Sequence, residues 1–291
     1  MKISVFPDYG SLNSKPVFDA FIQHLRDKKE NFQINKWDNS TDVAVIWSVL
    51  WRGRMEQNKK VWDDFKATGK PVVVLEVGGI KRNTTWKMGI NGINRDADFA
   101  NQTFDDQRWP LFKMDFQPWK QTGNVIVILG QHNNSEQWRG LPNMKKWITQ
   151  QIREIRKYTD RPILIRPHPR NPVEVAVDEF KNIRVSQPKR DWATYDDTDF
   201  KKILKSTWAV VNHSSNPAIE SVINGIPVFV SESSLCYDVG NHGYTDINRP
   251  AMPNREQWAH RLAYTEWWTD EIREGKPWAR IRTRLQEKYL K

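Results

Sequence analysis

Apolar and polar positions along this chain alternate in two blocks of the same kind. In the first block, residues 2–6 form a short apolar run. The stretch 16–27 then carries Val17, Phe18, Phe21, Ile22 and Leu25 at helical spacing. Residues 43–47 are continuously apolar, as in a strand buried on both faces. A helix is predicted over 55–68, stopped at Gly69, and a strand over 71–75. The alternation restarts with an apolar run at 125–129. A helix follows over 143–158, with Met144, Trp147, Ile148, Ile152 and Ile155 on one stripe. Strands are predicted at 162–165, 183–185, 208–211 and 226–230, and helices at 199–205 and 216–224. The tail from Arg255 reads as helical, with Trp258, Leu262, Trp267 and Ile272 on its apolar side. Between Gly78 and Gly123 the periodicity is weak and the composition is rich in Asn, Asp, Gly and Trp.

Strand–helix alternation of this kind predicts parallel sheets with helices on both faces. The expected fold class is α/β, with two Rossmann-like domains facing a cleft. The boundary is placed at the exposed connection ending in Gly123, giving domains 1–122 and 123–291. Open parallel sheets bind ligands beyond the carboxyl ends of their strands, so the loops after the strands are where chemistry is sought.

Composition narrows the picture. Lys and Arg number 45 against 35 Asp and Glu, a formal charge of +10, which favours an anionic partner. Fifteen Trp beside that charge are one recipe for holding bases and phosphates, although most aromatics in a folded chain are packing anchors. The single cysteine, Cys236, excludes an intrachain disulfide framework and a Cys-rich zinc site. No apolar run of about 18 residues is present, so no transmembrane helix is expected. The N-terminus lacks the apolar stretch of a signal peptide, so the chain is expected in the cytoplasm.

Two loops of the second half stand out. Arg166-Pro167-His168-Pro169-Arg170 follows a strand. Its prolines stiffen the loop around His168, and Arg166 and Arg170 add charge. Asn212-His213-Ser214-Ser215-Asn216-Pro217 joins a strand to a helix, where free N–H groups and hydroxyls bind phosphate. The plainer reading of the second loop is an N-cap by Ser215 or Asn216.

These two motifs, with Glu220-Ser221-Val222-Ile223-Asn224-Gly225-Ile226-Pro227-Val228 after the second, resemble glycosyltransferases of two-Rossmann-domain architecture, the GT-B type. The capsule polysaccharide and Kdo transferase group is the most similar. The resemblance spans residues 160–275, and the first half shares only the general pattern. It implies a donor site of Arg166, His168, Arg170, His213, Ser214, Ser215 and Glu220. There His168 and the serine turn hold the nucleotide and phosphate of a UDP- or CMP-linked sugar, and Glu220 faces the ribose or sugar. Gly225 and Pro227 are structural in this reading. It also implies no catalytic metal and no cofactor beyond that co-substrate. Asp196-Asp197-Thr198-Asp199 reads as a helix start rather than a metal motif.

Transfer also needs a base for the acceptor hydroxyl. Two strand ends of the first half offer acids, Asp8 and Glu76. Glu76 is preferred because Gly78 and Gly79 allow close approach of a ligand. The plainer reading of each is a turn former or a solvated acid. His132, after another strand, is a further cleft-lining candidate. For the acceptor, the loops carrying Trp51, Arg52 and Arg54, and Lys81, Arg82 and Trp86, interleave cations with aromatics, which suits a DNA backbone and a flipped base. Phage enzymes that glycosylate 5-hydroxymethylpyrimidines such as 5-hydroxymethylcytosine are similar in architecture. The leading expectation is therefore DNA modification: sugar transfer to a hydroxymethyl group in double-stranded phage DNA, in the host cytoplasm. The alternatives are a capsule or lipopolysaccharide glycosyltransferase acting on a glycan, a UDP-sugar epimerase, and a non-catalytic nucleic-acid-binding protein.

Overall fold

The computed structural model describes residues 1–175, 179–188, 190–191, 194–195 and 197–290. The chain forms two compact units: residues 1–113 with 256–291, and residues 114–255.

The first unit opens with β1 (Ile3–Val5), α1 (Lys15–Asp27), β2 (Phe32–Ile34), β3 (Val43–Trp47), α2 (Glu56–Ala67), β4 (Val72–Val77) and β5 (Thr85–Ile90). The second unit holds β6 (Val125–Leu129), α3 (Met144–Ile155), β7 (Ile163–Arg166), β8 (Ile183–Val185), β9 (Arg190–Asp191), β10 (Thr194–Tyr195), α4 (Asp197–Leu204), β11 (Thr207–Asn212), α5 (Pro217–Ile223) and β12 (Val228–Val230). The chain then returns to the first unit through α6 (Glu256–Ala263), β13 (Glu266–Trp268), α7 (Thr269–Glu274) and α8 (Lys276–Arg284).

The second unit's sheet runs β12-β11-β6-β7-β8, and every pairing is parallel. Its strand order reverses between β6 and β11, the doubly wound arrangement in which ligands sit at the reversal. Ile126, Ile128, Ile165 and Val211 pack with Met144, Ile148, Ile152 and Ile155 of α3. β9 and β10 pair antiparallel with each other.

The first unit's sheet runs β13-β5-β4-β3-β1-β2. Its strands β2, β1, β3 and β4 are parallel, whereas β5 and β13 join antiparallel. One face carries Val45, Trp47, Leu75, Met88 and Ile90 beneath α1 and α8. The other carries Ala44, Ile46 and Val74 against Val61, Trp62 and Phe65 of α2.

Three expectations are corrected here. The tail from residue 256 belongs to the first unit, not the second, and it contains a strand. The reason is the open edge of β5, which β13 covers with Trp267 opposite Trp86. Arg108 then secures the segment. Its Nε donates to the Ala263 carbonyl at 2.7 Å, Nη1 and Nη2 reach the Glu271 carboxylate at 2.7 and 2.8 Å, and the guanidinium lies 3.8 Å from the Trp267 ring centroid. Second, the boundary falls after Lys113 rather than at 122, because residues 114–120 already pack in the second unit. There Arg255 donates to the carbonyls of Val222 and Gln117 at 2.6 and 2.7 Å. Third, the weakly periodic stretch contains β5. Its polar side reads Thr85, Lys87, Gly89, yet all six residues are buried, so alternation there marks two buried faces. β2, at 32–34, is likewise absent from the pattern reading.

Candidate functional site

The loops after β6, β7 and β11 converge in the second unit. Gly130 ends β6 and donates its N–H to the Arg166 carbonyl at 2.9 Å. A Cβ there would lie 3.2 Å from the backbone of Pro167 and His168, so glycine lets the β6 and β7 loops meet. Beyond it, the buried Gln131 joins three loops. Its Oε1 accepts the Ser214 N–H at 2.9 Å, its Nε2 lies 3.2 Å from Ser214 Oγ, and its carbonyl accepts Asn171 Nδ2 at 3.0 Å.

Three imidazoles sit on this frame. His168 Nδ1 accepts the Arg170 N–H at 3.1 Å, and His132 Nδ1 accepts the Asn134 N–H at 3.1 Å. A neutral ring that accepts through Nδ1 carries its proton on Nε2, so each ring is oriented as an Nε2–H donor. The two rings meet edge to face, 5.5 Å apart. His213 lies edge-on to Trp138 at 5.0 Å, with Nε2 3.4 Å from Ser233 Oγ. Burial pushes the His213 pKa below its usual 6.5, against a smaller opposing effect of its hydrogen bond with the Gln137 backbone.

The serine turn departs from the expected phosphate cradle. α5 is seven residues long, and Asn216 caps it without a side-chain hydrogen bond. The Ala218 and Ile219 N–H groups donate to the Ser215 and Asn216 carbonyls, so neither is presented outward. Ser214 is 3 % exposed and bound to Gln131, which makes it a tie between loops. Ser215 is half-buried, and its Oγ accepts Asn212 Nδ2 at 2.7 Å. Glu220 is half-buried in the first turn of α5.

Arg166 is also corrected. Its side chain is 8 % exposed and Nη1 pairs with Asp199 Oδ2 at 2.8 Å, so its charge is neutralised within the fold. Asp199 lies in α4, which starts at Asp197, and Asp196 falls outside the described residues. Arg170 is exposed beside His168.

In the first unit, Glu76 lies next to the end of β4, half-buried. Its Oε2 accepts Ser48 Oγ–H at 2.6 Å and its Oε1 accepts the Val77 N–H at 2.7 Å. Ser48 holds this position with φ +62°, a left-handed conformation that strains a non-glycine residue. Strand register sets Glu76 opposite Lys87 and Lys87 opposite Glu266. A charged row thus crosses three strands, with Lys87 only 1 % exposed. Asp8 is exposed in a short turn after β1 and takes Asn35 Nδ2 at 2.6 Å.

Gly78 and Gly79 do permit a close approach, but by an internal carboxylate. Glu266, fully buried, accepts the Gly79 N–H at 2.6 Å, the Ile80 N–H at 3.1 Å and the Thr85 hydroxyl at 2.8 Å. A Cβ at Gly78 would collide with Glu266 Oε2. Trp51 and Trp86 are core side chains, not surface binders. Trp51 packs on Trp62 at 5.9 Å, and Trp86 packs on Trp47 at 5.8 Å with Nε1 bonded to Thr269. Arg52, Arg54 and Arg82 are exposed and Lys81 is half-exposed.

Gln131, Asn171, Ser48, Lys87 and Glu266 enter these clusters without having been singled out from the pattern, and Asn212 belongs to the singled-out serine loop but had no role assigned there. A usable signal existed for Gln131, beside the candidate His132. Gly130-Gln131-His132-Asn133-Asn134 is a polar run directly after an apolar strand, as in the two loops that were recognised. Among the described residues no cluster of His, Cys, Asp or Glu could hold a metal ion, and no helix is long and apolar enough to cross a membrane.

No protein-family model and no curated protein matches the chain. Among solved structures it is similar to a β-Kdo 2,4 transferase, KpsC of Thermosulfurimonas dismutans. Identity is 12% over 91% of this chain and 90% of that one, with a TM-score of 0.56. It is also similar to the KpsC β-Kdo 2,7 transferase of that organism, at 13% identity over 98% of this chain and 100% of that one, with a TM-score of 0.51. At these identities the likeness is one of fold, and the chain has the fold of the GT-B type.

Proposed function

We propose that this chain is a glycosyltransferase that takes a nucleotide-sugar donor in the second unit. The observation carrying the reading is the meeting of His132, His168 and the Ser215 turn at the strand-order reversal between β6 and β11. The likeness of fold to two Kdo transferases supports it.

In this reading the leaving group is a nucleoside phosphate, and its growing charge is met by donors already in place. The Nε2–H groups of His132 and His168 and the Ser215 hydroxyl supply them, and Arg170 adds charge at the rim. His213, held neutral by burial, shapes the pocket wall with Trp138 and Ser233. Glu220 takes a hydroxyl of the donor. Glu76 takes the acceptor proton, because Ser48 and the Val77 N–H orient its carboxylate, whereas Asp8 is exposed in a turn.

The acceptor favoured by the geometry is a glycan hydroxyl. Duplex DNA with a flipped base calls for an exposed aromatic near the cationic loops, and Trp51 and Trp86 are both in the core. The basic excess is also shared. The first unit has 26 basic against 20 acidic side chains and the second has 19 against 15, so the excess is divided between the units rather than confined to one.

The test is thermal stabilisation by UDP, CMP and a panel of nucleotide sugars. Mass spectrometry of glycan acceptors and of 5-hydroxymethylcytosine DNA follows. A ligand at 100 times its Kd stabilises by about 2.7 kcal/mol, a readable rise in Tm. A rise lost in His168→Ala, with a sugar-sized mass gain on a glycan, is the expected result. A gain on DNA moves the acceptor reading to nucleic acid. No response to any nucleotide overturns the transferase.

A further inference from the structure

Asn212 is the last residue of β11, at the strand-order reversal, and it is 2 % exposed. Its Nδ2 donates to Ser215 Oγ at 2.7 Å, which turns the amide toward the 213–216 loop and away from the packed sheet. Its Oδ1 is buried with no hydrogen-bond partner among the described residues. Exchanging the amide oxygen and nitrogen would not remove the defect. It would leave both N–H donors unpaired, where the present orientation leaves the acceptor and the second N–H. An unpaired buried acceptor destabilises the ligand-free fold, and such defects recur where a side chain serves something other than folding.

The Asn212 hydrogen bond has a direct consequence. Ser215 Oγ receives the amide proton, so its own proton must point elsewhere, and it meets no acceptor among the described residues. Ser215 is half-buried, next in the chain to Ser214, which Gln131 ties to the β6 loop that carries His132. With Asn212 replaced by an apolar residue, the same hydroxyl would rotate among three staggered positions.

We propose that Asn212 is a positioning residue: it holds Ser215 with its O–H outward, as a donor to a phosphate oxygen of the bound nucleotide. The assignment rests on the transferase reading and adds a residue to its donor site. It also explains why a seven-residue helix with inward-turned N–H groups can lie at such a site. The side-chain hydroxyl supplies what the helix terminus does not.

The experiment uses the full chain with UDP and CMP as probes, measured by calorimetry, and Tm in their absence. Asn212→Leu removes both amide ends at similar volume. Its ligand-free Tm is expected to equal or exceed wild type, while nucleotide affinity falls about ten-fold. Ser215→Ala is expected to lose a similar factor, and the double variant no more than either single one. Asn212→Asp is the sharper probe. At neutral pH its carboxylate accepts the Ser215 proton and turns the hydroxyl inward, so binding is weaker than in Asn212→Leu. Protonation at low pH restores a donor to Ser215 Oγ, so affinity recovers as pH falls, relative to wild type. A purely structural asparagine gives the opposite set: lower Tm in Asn212→Leu, losses that add with Ser215→Ala, and no recovery of Asn212→Asp. That set overturns the assignment while leaving nucleotide binding intact. If wild type binds neither UDP nor CMP and no nucleotide sugar of the panel stabilises it, the transferase reading falls, and this assignment with it.

Discussion

In the second unit the strand ends carry imidazoles, amides and hydroxyls that bind one another across three loops, around Gln131. In the first unit they carry a row of charges, Glu76, Lys87 and Glu266, and two glycines approached by the buried Glu266. The second unit places these groups beyond the ends of a parallel sheet, whereas the first holds them within strands, across the antiparallel pairs β4–β5 and β5–β13, and the two use them differently. The second unit presents oriented N–H and O–H donors, which suit a developing negative charge in the proposed reading. The first holds a carboxylate between a serine and its own backbone, suited to accepting a proton. The fold brings these segments together, and the side chains at and just beyond the strand ends decide the chemistry.

The largest expected effects would break the first unit. Glu266→Ala leaves the Gly79 and Ile80 N–H groups unpaired, takes one of two acceptors from the Thr85 hydroxyl and deprives Lys87 of a neighbouring carboxylate, a loss of about 3–5 kcal/mol. Trp86→Ala empties core volume under Trp47 and is expected to cost about the same. Urea denaturation reads both, and a loss below about 1 kcal/mol in either would show that β13 does not brace the sheet as described.

Next come the changes that separate the two chemistries. His168→Ala and His132→Ala are expected to weaken nucleotide binding at least ten-fold, about 1.4 kcal/mol, with smaller changes in urea midpoint. Glu76→Gln is expected to leave nucleotide affinity unchanged and to slow transfer by about 100-fold or more. A Glu76→Gln protein that transfers normally would shift the base assignment to Asp8.

The pH dependence is smaller and has a definite sign. Burial is the main cause holding His213 in the second unit and His24 in the first below the usual 6.5. The unfolded chain therefore takes up protons first as pH falls through 6.5, so stability is full above that value and declines below it, down to the folded pKa. His213→Gln should flatten that decline for the second unit and His24→Gln for the first, followed by urea midpoints between pH 5 and 7. A decline unchanged in both variants would assign it to other groups. Smallest of all, Arg52→Ala and Arg54→Ala are exposed changes expected to stay within about 0.5 kcal/mol. Their use is in acceptor binding. A steep salt dependence on duplex DNA that these variants flatten would reopen the nucleic-acid reading.

The sequence alone determined the strands that are apolar throughout, at 43–47 and 125–129, and the amphipathic helix from Met144, because their periodicity is a local property. It also marked His168 and the Ser214–Ser215 turn, since prolines and a strand-to-helix junction are visible in a few residues. Tertiary structure alone decided which of the marked residues share a place. Arg166 carries the right charge, but Asp199, thirty-three positions later, neutralises it. Trp51 and Trp86 sit among cations in sequence and among hydrophobic side chains in space. Glu266 reaches back over 187 positions to the Gly79 N–H, and with it the tail joins the first unit. Periodicity reports how a segment is buried, whereas pairing between distant segments depends on which edges and charges remain open once the local elements have formed.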